Sequence, residues 1–480
     1  MYNNIKCRAG TSLAIFIWFV VTSLVCSAQV SLNKQIKNMQ LTFTTSVGTI
    51  EGWEDDQVIR ATGIPYAYSE RFGYPKPFPI FKEVFQATKH GPAPVQMPSE
   101  MTNKVLGFDL LKGLDIAEQS QYLSVTIPKN ITANDKVPVM IWVYGGSYTG
   151  GAGDAAAYDP KFLVSEQHVI VVNINYRLGI LGFLGGIPGR PANLGLFDII
   201  EALKWVKNNI YAFGGDPGNI TVFGQSAGGD AVAHLMISDG VEGLFKRVII
   251  QSAPLALRKG KQTMLAEMKE MSLELTAQTP LWEVLAFQSK LITKMKKYGK
   301  VGGMPFGVEY GQAPLPAEAE ASKVWQDRAG HVDVLIGYAE NELALLTPFN
   351  KTLTVLQHIP LIGKPFLSFL IAKSTRSIYT RPATELAELL ATQEGASVYQ
   401  YKLTWGHENG YGAVHIIDIP LLFGDQEVWS RSMLTKGISW SKVYDAGKKI
   451  RAVWGKFARD GILDERRELP GILEYHRVSK

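Results

Sequence analysis

Cysteine is almost missing from this chain. Only Cys7 and Cys26 occur among 480 residues, and both fall within the first 28. A mature chain that starts after residue 28 has no disulfide and no thiol nucleophile. A core this large can stand without covalent staples. A strong charge of one sign is missing too. The 49 basic residues nearly balance the 44 acidic ones, for a formal +5, and Lys6 and Arg8 of the leader supply part of that excess. So weak a balance excludes a nucleic-acid partner. After residue 28 no run approaches the ~20 apolar residues that a membrane span needs. There is no internal repeat, low-complexity tract or clear linker.

What is present suits a globular protein with a large core: 46% of residues are apolar and 19% charged. Residues 1–28 have the layout of a secretory signal peptide. Lys6 and Arg8 open it, Leu13 to Cys26 is mostly apolar, and Cys26-Ser27-Ala28 offers small residues before a cut at Gln29. The expectation is a secreted, extracellular chain; an uncleaved membrane anchor is the alternative. Asn130, Asn219 and Asn350 each open an N-x-Thr sequon and are candidate glycosylation sites. The lysines at 294, 296, 297 and 300 read as a solvated helix end.

Apolar runs alternate with helical patterns. Val137–Tyr144, His168–Ile174, Ile220–Phe223, Arg247–Gln251, Val332–Gly337 and Ser397–Tyr401 read as buried strands. A helix at about 195–212 places Leu196, Ile199, Leu203, Val206 and Ile210 on one stripe. Strands of this kind separated by helices imply an α/β fold, with a large, mostly parallel sheet covered on both faces. Near Thr42–Trp53 and Arg60–Tyr66 the alternation predicts hairpins at the sheet edge.

The densest chemical signal is Gly224-Gln225-Ser226-Ala227-Gly228. It fits the G-x-S-x-G nucleophile elbow, with a strand before it and a helix after it. A serine at so sharp a turn needs small neighbours, and the helix that follows aims its N-terminal N–H groups at a developing oxyanion. The serine also needs a base, and the base an orienting acid, both downstream. Glu340 and Glu342 follow one predicted strand, and His407 and His415 lie in the loop after the next. Residue chemistry alone does not choose within either pair. Gly145-Gly146-Ser147, directly after the strand at 137–144, has the place of an oxyanion loop.

These motifs together resemble the type-B carboxylesterase/cholinesterase family. Asn175-Tyr176-Arg177-Leu178-Gly179, Asn193-Leu194-Gly195-Leu196-Phe197-Asp198, Phe213-Gly214-Gly215-Asp216-Pro217 and Gln251-Ser252 carry the resemblance further. It implies an α/β-hydrolase fold, one domain over 29–480, and cleavage of small-molecule esters without cofactor or metal. It puts the catalytic residues at Ser226, Glu342 and His415. The acid falls within Gly337–Leu343, and His415 is followed by Asp418 and by Phe423-Gly424 at the family's spacing, as His407 is not. The oxyanion donors fall on Gly146, Ser147 and Ala227.

The departures from the family are specific. Ser147 stands where a third glycine is usual. Asn341, Leu343 and Ile416 replace residues that are usually Asp, Gly and Gly. Ala93 and Ser120 hold the places of the family's first disulfide, and Gln225 stands where cholinesterases have Glu. A choline cage is not expected, because Phe108 is the one aromatic between 93 and 120. The alternative function is a neuroligin-like adhesion protein with a protein partner. Gly145-Gly146-Ser147-Tyr148 resembles that branch, but the serine, acid and base are all present.

Overall fold

The computed structural model describes residues 41–132 and 134–479. The leader expected at 1–28, with both cysteines, lies outside the described residues. Eleven strands form the main sheet. In chain order they are β1 (Trp53–Asp55), β2 (Val58–Pro65), β3 (Tyr122–Pro128), β4 (Val137–Val143), β5 (Ile170–Ile174), β6 (Gly215–Gln225), β7 (Arg247–Gln251), β8 (Asp333–Ala339), β9 (Val398–Leu403), β10 (Arg466–Leu469) and β11 (Leu473–Arg477). Their order across the sheet is β10-β11-β9-β8-β7-β6-β4-β5-β3-β2-β1.

The centre from β5 to β9 is parallel throughout. Its strands are continuous apolar runs because they are covered on both faces: β5 and β7 are buried at every position. The flanks are antiparallel. Short turns at 56–57 and 470–472 join the outermost pairs, which only antiparallel strands allow. The expected hairpin at 42–51 forms, but it pairs with Phe85–Gln86 in a separate three-stranded sheet and not with the main one.

Six helices matter for the site. They are α1 (Leu194–Asn209), α2 (Ala227–Leu235), α3 (Lys351–Gln357), α4 (Gly363–Thr375), α5 (Arg381–Leu390) and α6 (Trp440–Asp460). α1 buries the predicted stripe of Leu196, Ile199, Leu203 and Val206. A buried fork fixes it in place. Arg177, just after β5, donates from Nε and Nη2 to the two oxygens of Asp198 at 2.8 Å each, and its own N–H reaches the same carboxylate at 3.0 Å. The long α6 buries Val443, Ile450, Trp454 and Phe457 along one side. It stops at Gly461, whose φ of 70° suits glycine and whose N–H caps the Phe457 carbonyl.

Candidate active site

β6 delivers Ser226 to the C-terminal edge of the sheet. The residue has φ 58° and ψ −123°, a region that costs a non-glycine residue about 1–3 kcal/mol. Its N–H donates to the Gln251 carbonyl at 2.9 Å, tying the turn to the end of β7. α2 starts at the very next residue, two positions earlier than the sequence pattern indicates. Gly228 lies inside that helix with no room for a side chain: a Cβ there would stand 2.0 Å from the Val143 carbonyl oxygen.

The two ambiguous pairs separate cleanly in space. His415 Nε2 lies 2.8 Å from Ser226 Oγ, and its Nδ1 lies 2.5 Å from Glu342 Oε2. Glu342 is fully buried. Its second oxygen accepts the Ala339 N–H at 2.8 Å. An ionised carboxylate only accepts, so the imidazole proton sits on Nδ1 and Nε2 faces the serine hydroxyl. Glu340 and His407 pair with each other instead, at 3.8 Å and half in solvent, with Lys402 Nζ 2.6 Å from Glu340. The two loops are zipped by backbone bonds, Asn341 N–H to the Ala413 carbonyl (2.8 Å) and His415 N–H to the Glu342 carbonyl (3.1 Å).

The glycine loop after β4 faces the serine. Gly146 and Ser147 are exposed, and their N–H groups have no acceptor among the described residues. Ala227 is the first residue of α2, where N–H groups have no intrahelical acceptor. All three are thus backbone donors left without an acceptor beside Ser226. Ser147 holds φ 56° and Ile416, beside the base, φ 64°. Two of the three positions that depart from glycine thus keep the left-handed backbone that glycine favours, whereas Leu343 does not. A cavity of about 260 Å³ opens here, lined by Gly146, Ser147, Ser226, Leu345, His415 and Ile416 among others.

Several residues support the site in roles that the sequence does not reveal, and Tyr379 among them carries no local sequence signal. Tyr148, also left-handed at φ 61°, is fully buried and donates its hydroxyl to Asp230 Oδ2 of α2 at 2.7 Å. This ties the glycine loop to the helix that follows the serine. The Tyr379 ring lies 5.2 Å from the His415 ring. Asp418 is buried and accepts a hydrogen bond from the Gln251 amide. Burial pushes its carboxyl up to about 6; the Gln251 bond and His415 oppose the rise, and Glu342 adds to it. Ala93 and Ser120 are both fully buried, so packing fills the place of the absent disulfide. Of the sequons, Asn130 and Asn350 are exposed. The Asn219 amide is engaged on both sides, by the Arg459 carbonyl and by the Arg247 guanidinium. No cluster of metal-ligating side chains occurs among the described residues.

Comparison with known proteins gives the family and the fold. A profile of the Carboxylesterase family matches residues 39–358. The chain is similar to the Rhodococcus erythropolis protein named "Probable N-octanoylanthranilate hydrolase", at 32% identity over 88% of this chain and 94% of that one. It is 30% identical to the para-nitrobenzyl esterase of Bacillus subtilis, over 87% of this chain and 89% of that protein. Among solved structures, a PNB esterase superposes with a TM-score of 0.74 at 28% identity, over 91% of this chain and 97% of the other.

Proposed function

The chain belongs to the carboxylesterase family, and we propose that it is a secreted serine hydrolase that cleaves carboxylic esters through an acyl-enzyme. The observation that carries this reading is the unbroken relay from Ser226 Oγ through His415 to a fully buried Glu342. Ser226 Oγ attacks the ester carbonyl carbon while His415 Nε2 takes its proton. Glu342 holds the ring and stabilises the imidazolium. Charge on the carbonyl oxygen settles on the N–H groups of Gly146, Ser147 and Ala227, backbone donors fixed by the glycine loop and the start of α2. The intermediate collapses, His415 returns the proton to the departing alcohol, and the acyl group stays on Ser226. A water molecule, deprotonated by His415, then releases the acid.

The layout of residues 1–28 supports export with a mature start near Gln29, and we assign 29–480 to one catalytic domain. Exposure makes Asn130 and Asn350 the sequons open to a glycosylating host. The test of the catalytic reading is a fluorophosphonate probe with mass spectrometry of the adduct. The label is expected on Ser226, and Ser226→Ala is expected to lose it while keeping its unfolding midpoint. A folded wild-type protein that resists several such probes would sink the esterase reading in favour of the adhesion one.

A further inference from the structure

The chain that leaves the active site changes character abruptly. From Leu343 to Thr384 there is no Asp or Glu, while Lys351, Lys364, Lys373, Arg376 and Arg381 give five cations. All five are exposed. The same stretch carries much of the exposed apolar surface of the molecule: Val355 is 68% exposed, Leu361 96%, Ile362 66%, Phe366 51% and Phe369 59%. These residues belong to the hairpin of α3 and α4. On α4 the spacing places Ile362, Phe366, Phe369 and Lys373 along one stripe, while Leu367 and Thr375 are buried. The Lys373 ammonium reaches back over the Phe369 ring at 6.0 Å. Exposed aromatic and aliphatic side chains flanked by cations, with no anion in between, are a poor arrangement for a free surface in water.

A second feature adjoins it. A cavity of about 530 Å³ is walled by Lys259, Lys300, Lys373, Arg376 and Arg381. Its single carboxylate, Glu385, pairs with Arg381 at 2.6 Å. The cationic side of the hairpin thus continues into a recess floored by apolar Trp325 and Leu386.

We propose that the α3–α4 hairpin and this basic recess form a docking face for an anionic lipid surface. The apolar stripe enters the acyl boundary and the cations meet the headgroups, the division of labour of an interfacial amphipathic helix. Charge decides against a second copy of the chain. A twofold contact through this face would set Lys364, Lys373 and Arg376 against their own counterparts. The placement also bears on catalysis. The segment Glu342–Phe349 joins the hairpin to the site, packs against both helices, and carries Leu345 of the catalytic cavity. Docking on this face therefore sets the cavity beside esters dissolved in the lipid. The inference goes beyond ester hydrolysis and does not depend on it.

Vesicle flotation of the full chain tests it, with pure phosphatidylcholine against phosphatidylcholine mixed with phosphatidylglycerol. The protein is expected to float with the anionic vesicles, and added salt should weaken the binding. The double change Phe366→Asp/Phe369→Asp should cut binding by about tenfold or more, and Lys364→Glu/Lys373→Glu should do the same. Trp282→Asp, at a position 70% exposed on a different helix, should leave binding unchanged. An unfolding midpoint unchanged from the wild type reports that the phenylalanine variant is folded. Failure of the wild type to float with either vesicle, or equal binding by the Phe366/Phe369 variant, would overturn the proposal. A dimer in solution that this variant dissociates, without vesicle binding, would assign the face to self-association. Flotation involves no turnover, so an inactive protein that binds would refute only the esterase reading.

Discussion

At the scale of single residues, His407 and His415 share one loop but stand in different surroundings. His415 spans Ser226 and Glu342, whereas His407 meets Glu340 at 3.8 Å in solvent. His415→Ala should therefore cost roughly 10⁴ or more in kcat. His407→Ala should stay within about twofold, since surface ion pairs are worth little. Among the acids, Glu342→Gln should be severe because it disturbs the ring's tautomer and charge stabilisation, and Glu340→Gln should be nearly silent. Turnover of one soluble ester across the four variants is the check. A damaging Glu340→Gln with a benign Glu342→Gln would mean that the acid has been assigned to the wrong residue. Ser226 could be read from the chain because the strand, the tight turn and the helix are all local. The partners could not be chosen locally, because the bonds that zip the 341–342 turn to the 413–415 loop join residues about seventy positions apart. The role of Tyr148, and Tyr379 altogether, left no local trace for the same reason: each matters through one distant neighbour, Asp230 or His415.

At the scale of elements, two motifs that do no chemistry turn out to be fasteners. Arg177 ends the connection from β5, Asp198 sits in the first turns of α1, and both side chains are almost wholly buried, at 4% and 0% exposure. Removing one partner strands a charge in the interior. Arg177→Ala should lower unfolding stability by about 3–5 kcal/mol. Arg177→Lys should recover little of it, because an ammonium cannot reproduce the fork that holds both carboxylate oxygens. Urea denaturation followed by tryptophan fluorescence measures both. A loss below about 1 kcal/mol in the alanine variant would place the pair among weak surface bridges. The central strands were readable as continuous apolar runs, since burial on both faces leaves no alternation to find. The flanks were readable only in part: the edge hairpin expected near Arg60–Tyr66 is the β1–β2 pair, but β10 and β3 left no such pattern. β10 is exposed at three of its four positions, and so offers no hydrophobic pattern, although Pro470-Gly471 marks its turn. β3, buried along nearly its whole length, pairs antiparallel with β2 and β5, partners that only the assembled sheet supplies.

At the scale of the whole molecule, the sheet, the long C-terminal helix and the base-bearing loop meet at one buried carboxyl group. Gln251 at the end of β7 donates to Asp418 from its amide and accepts the Trp454 indole N–H of α6 at 3.2 Å. Asp418 follows His415 by three residues, so the stability of this junction is the stability of the fold around the site. Its carboxyl is pushed up from 3.8 to about 6, chiefly by burial. The sign of the pH effect follows from where the proton is held. Between about pH 4 and 6 the folded chain keeps a proton that the unfolded chain has already released, so this group's contribution is full below pH 4 and is lost as pH rises through 6. A shift of about two units corresponds to roughly 3 kcal/mol. Asp418→Asn removes the ionisation and keeps an oxygen that accepts from Gln251. The variant should therefore unfold like the wild type at pH 4 and be more stable by about 2–3 kcal/mol at pH 8. Paired denaturation curves at the two pH values decide it. A stability difference that stays constant with pH would show that Asp418 does not titrate in this range. A variant that loses stability at pH 8 would show that the ionised carboxylate, facing His415, holds the junction together.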